Sequence, residues 1–191
     1  MFQLELDCLR PLLAEAVHPW LEVGVGSGRF AQALGVDVGV DPALAPLQIA
    51  RGRGIRGIRA NGEKMPFSSG HFGAALIVVT LCFTATPRLL LAETHRVLGG
   101  GGVLIIGTIP RDSAWGSWYR AKGEAGNPFY RQAHFLTVAQ LLNLLDEVGF
   151  QVGAARSTLT QPPGDALQPE AAQEGIIAGA GFLALQAWRS G

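Results

Sequence analysis

Three glycines at alternate positions, Gly24, Gly26 and Gly28, follow the short apolar run Leu21–Val23, within which Glu22 stands just ahead of the turn. A turn free of Cβ atoms bends sharply and lets a ligand approach its N–H groups. A helix starting near Arg29 aims its positive end at the same place. The carboxylate of Glu22 repels a pyrophosphate and welcomes the cationic tail of an amino acid. Asp41, closing the next apolar run, can accept from both hydroxyls of a ribose diol. Pro42 is placed to flank a base, and Asn61 to accept from an adenine amino group while a nearby backbone N–H reaches a ring nitrogen. Taken singly, Asp41-Pro42 and Asn61-Gly62 also read as ordinary turns.

The segment Gly26-Ser27-Gly28-Arg29-Phe30-Ala31 satisfies the dinucleotide pattern G-x-G-x-x-A, so an NAD(P)- or FAD-binding oxidoreductase is the first alternative. Two features oppose it. Glu22 would lie close to a dianionic pyrophosphate, and Asp41 comes 15 residues after Gly26 where the ribose acid of that pattern comes after roughly 20. A second phosphate-binding turn is also missing from the later half.

These residues need a scaffold that gathers strand ends. Residues 4–17 carry leucines at helical spacing, with Pro11 tolerable only in a first turn, so the regular helix is expected to start late. Strands are expected at 20–24, 36–40, 55–60, 74–81 and 103–108, alternating with helices at 29–34, 43–51 and 87–98. The continuous apolar runs Ala74–Leu81 and Val103–Thr108 suit strands buried on both faces. A helix over 137–148 and strands at 150–159 and 181–189 complete the chain, with Pro162, Pro163 and Pro169 in the loop between the two strands. The fold class is therefore α/β, a Rossmann-like doubly wound sheet of about seven strands, mostly parallel, with helices on both faces.

The 191 residues fit one domain spanning 1–191, and 48% hydrophobic against 16% charged residues means a folded chain. Fifteen basic side chains balance fifteen acidic ones, so nucleic acid and membrane surfaces are not favoured as partners. Arg51, Arg53, Arg56 and Arg59 form the one basic cluster, read as a solvated edge. Cys8 and Cys82 offer no disulfide framework, and no metal-ligand spacing is present. With Glu5 and Asp7 near its start and no apolar run long enough for a bilayer, the chain is expected to be soluble and cytoplasmic.

Together the segments Glu22–Gly28, Val40-Asp41-Pro42, Asn61–Phe67, and Glu93–Leu98 leading to Gly101-Gly102 resemble the class I S-adenosylmethionine-dependent methyltransferases, particularly small single-domain enzymes acting on small molecules. The resemblance runs from about Trp20 to Thr108 and more loosely beyond. It implies S-adenosylmethionine as cofactor and S-adenosylhomocysteine as product. Glu22, Gly24, Gly26 and Gly28 would hold the methionine portion, Asp41 the ribose, and Pro42, Asn61 and Gly62 the adenine, with Thr80 completing the cofactor contacts. It also implies an antiparallel last strand. Asn61 stands where the family usually has aspartate, Gly73 where it has an acid, and Gly99-Gly100 where it has Lys-Pro. A non-catalytic S-adenosylmethionine-binding module is the second alternative.

The acceptor, expected to be a small molecule, should bind over the ends of the strands at 74–81 and 103–108. The aromatic-rich insertion at about 111–135 can fold over it as a lid. Trp115, Trp118 and Tyr119 share one helical face and, with Phe83 and Tyr130, are the expected acceptor contacts. Tyr130 and His134 are the candidate proton acceptors. The other reading of these aromatics is that they pack the insertion onto the sheet.

Overall fold

The computed structural model describes residues 1–164 and 167–189. Asp165 and Ala166 of the proline-containing loop, and the end of the expected 1–191 span (Ser190, Gly191), lie outside the described residues. Along the chain run α1 (Phe2–Leu9), β1 (Trp20–Val23), α2 (Arg29–Leu34), β2 (Val38–Asp41), α3 (Leu44–Gly52), β3 (Arg56–Arg59), β4 (Phe72–Val78) and α4 (Pro87–Val97). Then follow β5 (Leu98–Thr108), α5 (Ala114–Glu124), α6 (Val138–Val148), β6 (Phe150–Thr158), β7 (Gln173–Glu174) and β8 (Phe182–Arg189).

The strands form one sheet in the order β3-β2-β1-β4-β5-β8-β6-β7. Strands β1 to β5 are mutually parallel, and β8 is antiparallel to both β5 and β6. The sheet has eight strands where about seven were expected. The extra one is β7, a two-residue edge strand that pairs Ser157 and Arg156 with Gln173 and Glu174. A piece that short carries no alternation to read.

Alternation along β4 divides the core. Ala74, Leu76 and Val78 pack with Leu9, Leu47, Trp115 and Tyr119 on one face, and Ala75 and Ile77 with Leu90, Leu91, Leu141 and Leu145 on the other. Pro11 acts opposite to expectation: α1 is regular from its start and gives way to a 3-10 turn at Arg10–Leu13. Proline lacks the N–H that would bond four residues back and its ring crowds that carbonyl, so it sits in the first turn of a new segment. Gly73, where the family pattern has an acid, is pressed against the Val17 carbonyl, and a Cβ there would overlap it. Gly99–Gly102 absorb the register shift between β4 and β5, where Phe72 faces Leu98 but Ala74 faces Val103.

Candidate functional site

The three glycines of the turn have φ of +74°, +51° and +74°, all left-handed, yet each is needed for a different reason. A Cβ on Gly24 would overlap the Thr80 side chain, and one on Gly28 would sit 2.9 Å from Ala50 Cβ. One on Gly26 would meet no protein atom within 4 Å, because Gly26 faces a cavity. Asp41 holds the turn in place: its Oδ2 accepts from the Gly26 N–H at 2.9 Å and its Oδ1 from the Ala43 N–H at 2.8 Å. Placing Asp41 as the last residue of β2, with Gly24 and Val25 N–H both donating to Val40 O, brings the first two sequence motifs into contact.

The cavity has a volume of about 670 Å³, within the range of about 300–1,000 Å³ typical of small-molecule sites. Gly24, Gly26, Asp41, Pro42, Asn61 and Gly62 line it, together with Val78, Val79 and Thr80 at the end of β4 and with Phe83, Thr84 and Phe129. Val79 leaves β4 at φ +48°, a strained region for a β-branched residue; its N–H is held by Gly107 O at 2.8 Å. Strand β4 therefore stops at Val78, short of the expected Leu81, and the chain turns along the cavity wall. The Thr80 hydroxyl lies 3.0 Å from Val78 O and 3.3 Å from Gly24 O, tying the end of β4 to the glycine turn.

The Glu93–Arg96 motif has a task that its residue types alone did not show. Glu93 accepts from the Met65 N–H at 2.6 Å and from Arg96, which donates onward to the Phe67 and Met65 carbonyls. The pair thus pins the loop that carries Asn61 and Gly62. The Arg96 hydrogen bond holds the Glu93 carboxyl below its usual range. Three of the clustered arginines are likewise braces, with Arg51 bonded to Gly57 O, Arg53 to Ser27 O and Arg59 to Pro42 O.

Glu22 stands elsewhere than expected. Its residue is 2% exposed, it is not part of the cavity wall, and Oε2 has no hydrogen-bond partner among the described residues. Burial pushes its carboxyl up to about 8, against a weaker pull from the Ala31 N–H, and nearby Asp41 pushes the same way. It is buried next to the glycine turn and does not face the cavity. The reason is strand register: Leu21 and Val23 fill the opposite side, leaving Glu22 on the face covered by α2.

The aromatic residues of the insertion separate into two groups. Trp115 and Tyr119 are buried in the core, Trp115 donating Nε1–H to Gln161 O at 2.8 Å, and Trp118 lies beneath Lys122 Nζ at 3.5 Å. None of these, nor Tyr130 or His134, lines the cavity. Phe83 does, together with Phe129, which the sequence alone does not single out; their ring centroids are 4.5 Å apart. The available signal was Asn127, whose side chain caps the Phe129 and Tyr130 N–H groups and fixes the turn that presents Phe129. Burial raises the Tyr130 hydroxyl above its usual pKa, so it stays protonated at neutral pH. His134 is exposed and is anchored by its backbone N–H to Cys82 O at 2.6 Å. Burial pushes both thiols, Cys8 and Cys82, up to about 12, so neither is a ready nucleophile. No helix among the described residues is long and apolar enough to cross a membrane.

The nucleoside-sized cleft, its Cβ-free wall at Gly26 and the acid closing β2 suit a nucleoside ligand bearing an amino-acid tail, and the comparisons agree. A methyltransferase-domain family model matches residues 21–106. An uncharacterized protein of Mycobacterium tuberculosis is 49% identical over 184 residues, 96% of this chain but 65% of its own length, so the chain spans about two thirds of that relative. An uncharacterized protein of Methanocaldococcus jannaschii is 38% identical over 87% of this chain and 80% of its own. Among solved structures, an S-adenosylmethionine-dependent methyltransferase of Thermotoga maritima, described as a possible histamine N-methyltransferase, is 32% identical. It superposes with a TM-score of 0.91 over 99% of this chain and 89% of its own. Geranyl diphosphate C-methyltransferase of Streptomyces coelicolor, crystallised with S-adenosyl-L-homocysteine, shares the fold at 16% identity and a TM-score of 0.68, covering 95% of this chain and 75% of its own. The chain belongs to the class I S-adenosylmethionine-dependent methyltransferase family.

Proposed function

We propose that this chain transfers a methyl group from S-adenosylmethionine to a small-molecule acceptor bound in the same cavity. The observation that carries this reading is the continuity of one cleft from the Gly24–Gly26 turn and Asp41 to the Phe83–Phe129 pair. In it, Asp41 takes the ribose hydroxyls, Pro42, Asn61 and Gly62 surround the adenine, and Gly24, Gly26 and Thr80 receive the methionine end. Glu22 and Gly28 support the turn without lining the cavity.

The cofactor supplies a methyl group on a sulfonium, which is a good leaving group. The chain's part is alignment, an effect worth up to about 7–11 kcal/mol when the reacting atoms are held in line. Val79 and Thr80 fix the stretch of wall on which the reacting ends meet, and Phe83 and Phe129 exclude water. Small-molecule acceptors are supported by the cleft's size and by the acceptor named for the Streptomyces neighbour.

Calorimetry with S-adenosylhomocysteine and with NADH, followed by labelled-methyl transfer across an acceptor panel, tests the reading. S-adenosylhomocysteine should bind and NADH should not. Gly24→Ala, which forces a Cβ into Thr80 at a left-handed position, should weaken S-adenosylhomocysteine at least about 100-fold. Heat from NADH alone would revive the oxidoreductase alternative, and cofactor binding without transfer to any acceptor would leave a binding module.

A further inference from the structure

The cavity wall carries two charged side chains, Asp41 and Glu63, and both are acidic. Among the described residues no lysine, arginine or histidine side chain belongs to it. Both Asp41 oxygens already serve the Gly26 and Ala43 N–H groups. Glu63 is less engaged. Its Oε1 accepts from the Thr84 and Thr86 hydroxyls, while Oε2 has no hydrogen-bond donor among the described residues, and the residue is only half-buried. Thr84 follows Phe83 directly, so this carboxylate is tied to the segment that carries Phe83, whose ring meets that of Phe129.

A cavity whose wall carries a carboxylate and two aromatic rings suits an ammonium group, through charge-assisted hydrogen bonds and through the negative ring faces. A phosphate or carboxylate there would face two anions with no cation to balance them. We propose, resting on the methyltransferase reading above, that the acceptor is a small amine methylated on nitrogen, and that Glu63 selects it by binding its ammonium form. The bound ammonium loses one proton to water. Its nitrogen lone pair then forms the C–N bond as the C–S bond breaks, and that electron pair stays on sulfur. A sulfonium and an ammonium become a thioether, an N-methylammonium and one released proton.

The test uses three probes of similar skeleton, 2-phenylethylamine, 2-phenylethanol and 3-phenylpropanoate, titrated into protein loaded with S-adenosylhomocysteine. The amine should bind at least about tenfold tighter than the alcohol, and the carboxylate weakest. Glu63→Gln keeps an acceptor oxygen for Thr84 and Thr86 and removes the charge. It should bring the amine down to the alcohol's affinity while S-adenosylhomocysteine binding stays within about twofold. A carboxylate that binds as well as the amine, an amine preference that survives Glu63→Gln, or no binding by any probe overturns the proposal and leaves the cofactor site standing. Failure of the unaltered protein to take up S-adenosylhomocysteine would remove the methyltransferase reading itself.

Discussion

The two parts of the cleft, the one proposed for the cofactor and the one proposed for the acceptor, are built from different materials. At the cofactor end the wall is largely backbone, with glycines, N–H groups and one acid that organises them. At the proposed acceptor end it is made of side chains, Glu63 on the loop between β3 and β4, Phe83 and Thr84 between β4 and α4, and Phe129 after α5. A backbone site demands particular residue types at fixed spacing, because only glycine tolerates the conformations and close approaches. A side-chain site can be lined by many residues, and which ones face inward depends on how distant segments pack.

The contrast is sharpest within the aromatic insertion, where burial and function divide neighbouring residues. Trp115 lies against Gly181, with its indole where a Cβ would be, and packs with Tyr119 and Phe182. Trp115→Ala should therefore cost about 3–5 kcal/mol of folding stability, read by denaturant titration, while S-adenosylhomocysteine affinity in the folded protein holds. A loss of cofactor affinity at unchanged stability would show that the insertion belongs to the cofactor end and would undo the division.

Most of the scaffold and the cofactor end could be read beforehand, for physical reasons that also explain the misses. The alternating run into Asp41-Pro42 placed the acid at a strand end, and Thr137 with Gln140 forms the capping box that starts α6. Both are local signals. The direction in which α5 faces is not local: Trp115 turns inward because Gly181, far along the chain, leaves room for it. That rotation carries Trp115 and Tyr119 into the core and leaves Phe129, on the following turn, to line the cleft. Glu22 was legible as an acid beside a glycine turn, but its position off the cavity wall depends on the side of β1 that α2 covers. Glu93 and Arg96 matched a motif, and only their bonds to the Met65 N–H and to the Met65 and Phe67 carbonyls reveal that they pin the loop carrying Asn61 and Gly62.

Glu22, buried next to the glycine turn, also gives the folded chain a pH signature. Its carboxyl rises from an ordinary value of 4.5 to about 8 on burial. Between those values the folded chain keeps a proton that the unfolded chain releases, so stability falls as pH rises through the window. Glu5, raised to about 6 by burial, adds the same slope over the lower part. Glu22→Gln should match the original protein near pH 5 and exceed it by a few kcal/mol near pH 8, measured as Tm across that range. Parallel Tm profiles for the two proteins would mean that Glu22 ionises freely and does not lie buried under the turn.

The smallest effect on folding is expected at Phe129, and it separates the two ends of the cleft most cleanly. The side chain is 60% exposed and touches Phe83 and Tyr130 by ring contact alone, so Phe129→Ala should change stability by no more than about 1 kcal/mol. S-adenosylhomocysteine affinity should stay within about twofold, because Gly24, Gly26 and Asp41 are untouched. The acceptor KM should rise about three- to tenfold, the worth of one lost aromatic contact. Equal losses for cofactor and acceptor would mean that Phe129 closes over both. In that case the cleft works as a single enclosed chamber, and backbone and side-chain walls cannot be tuned apart.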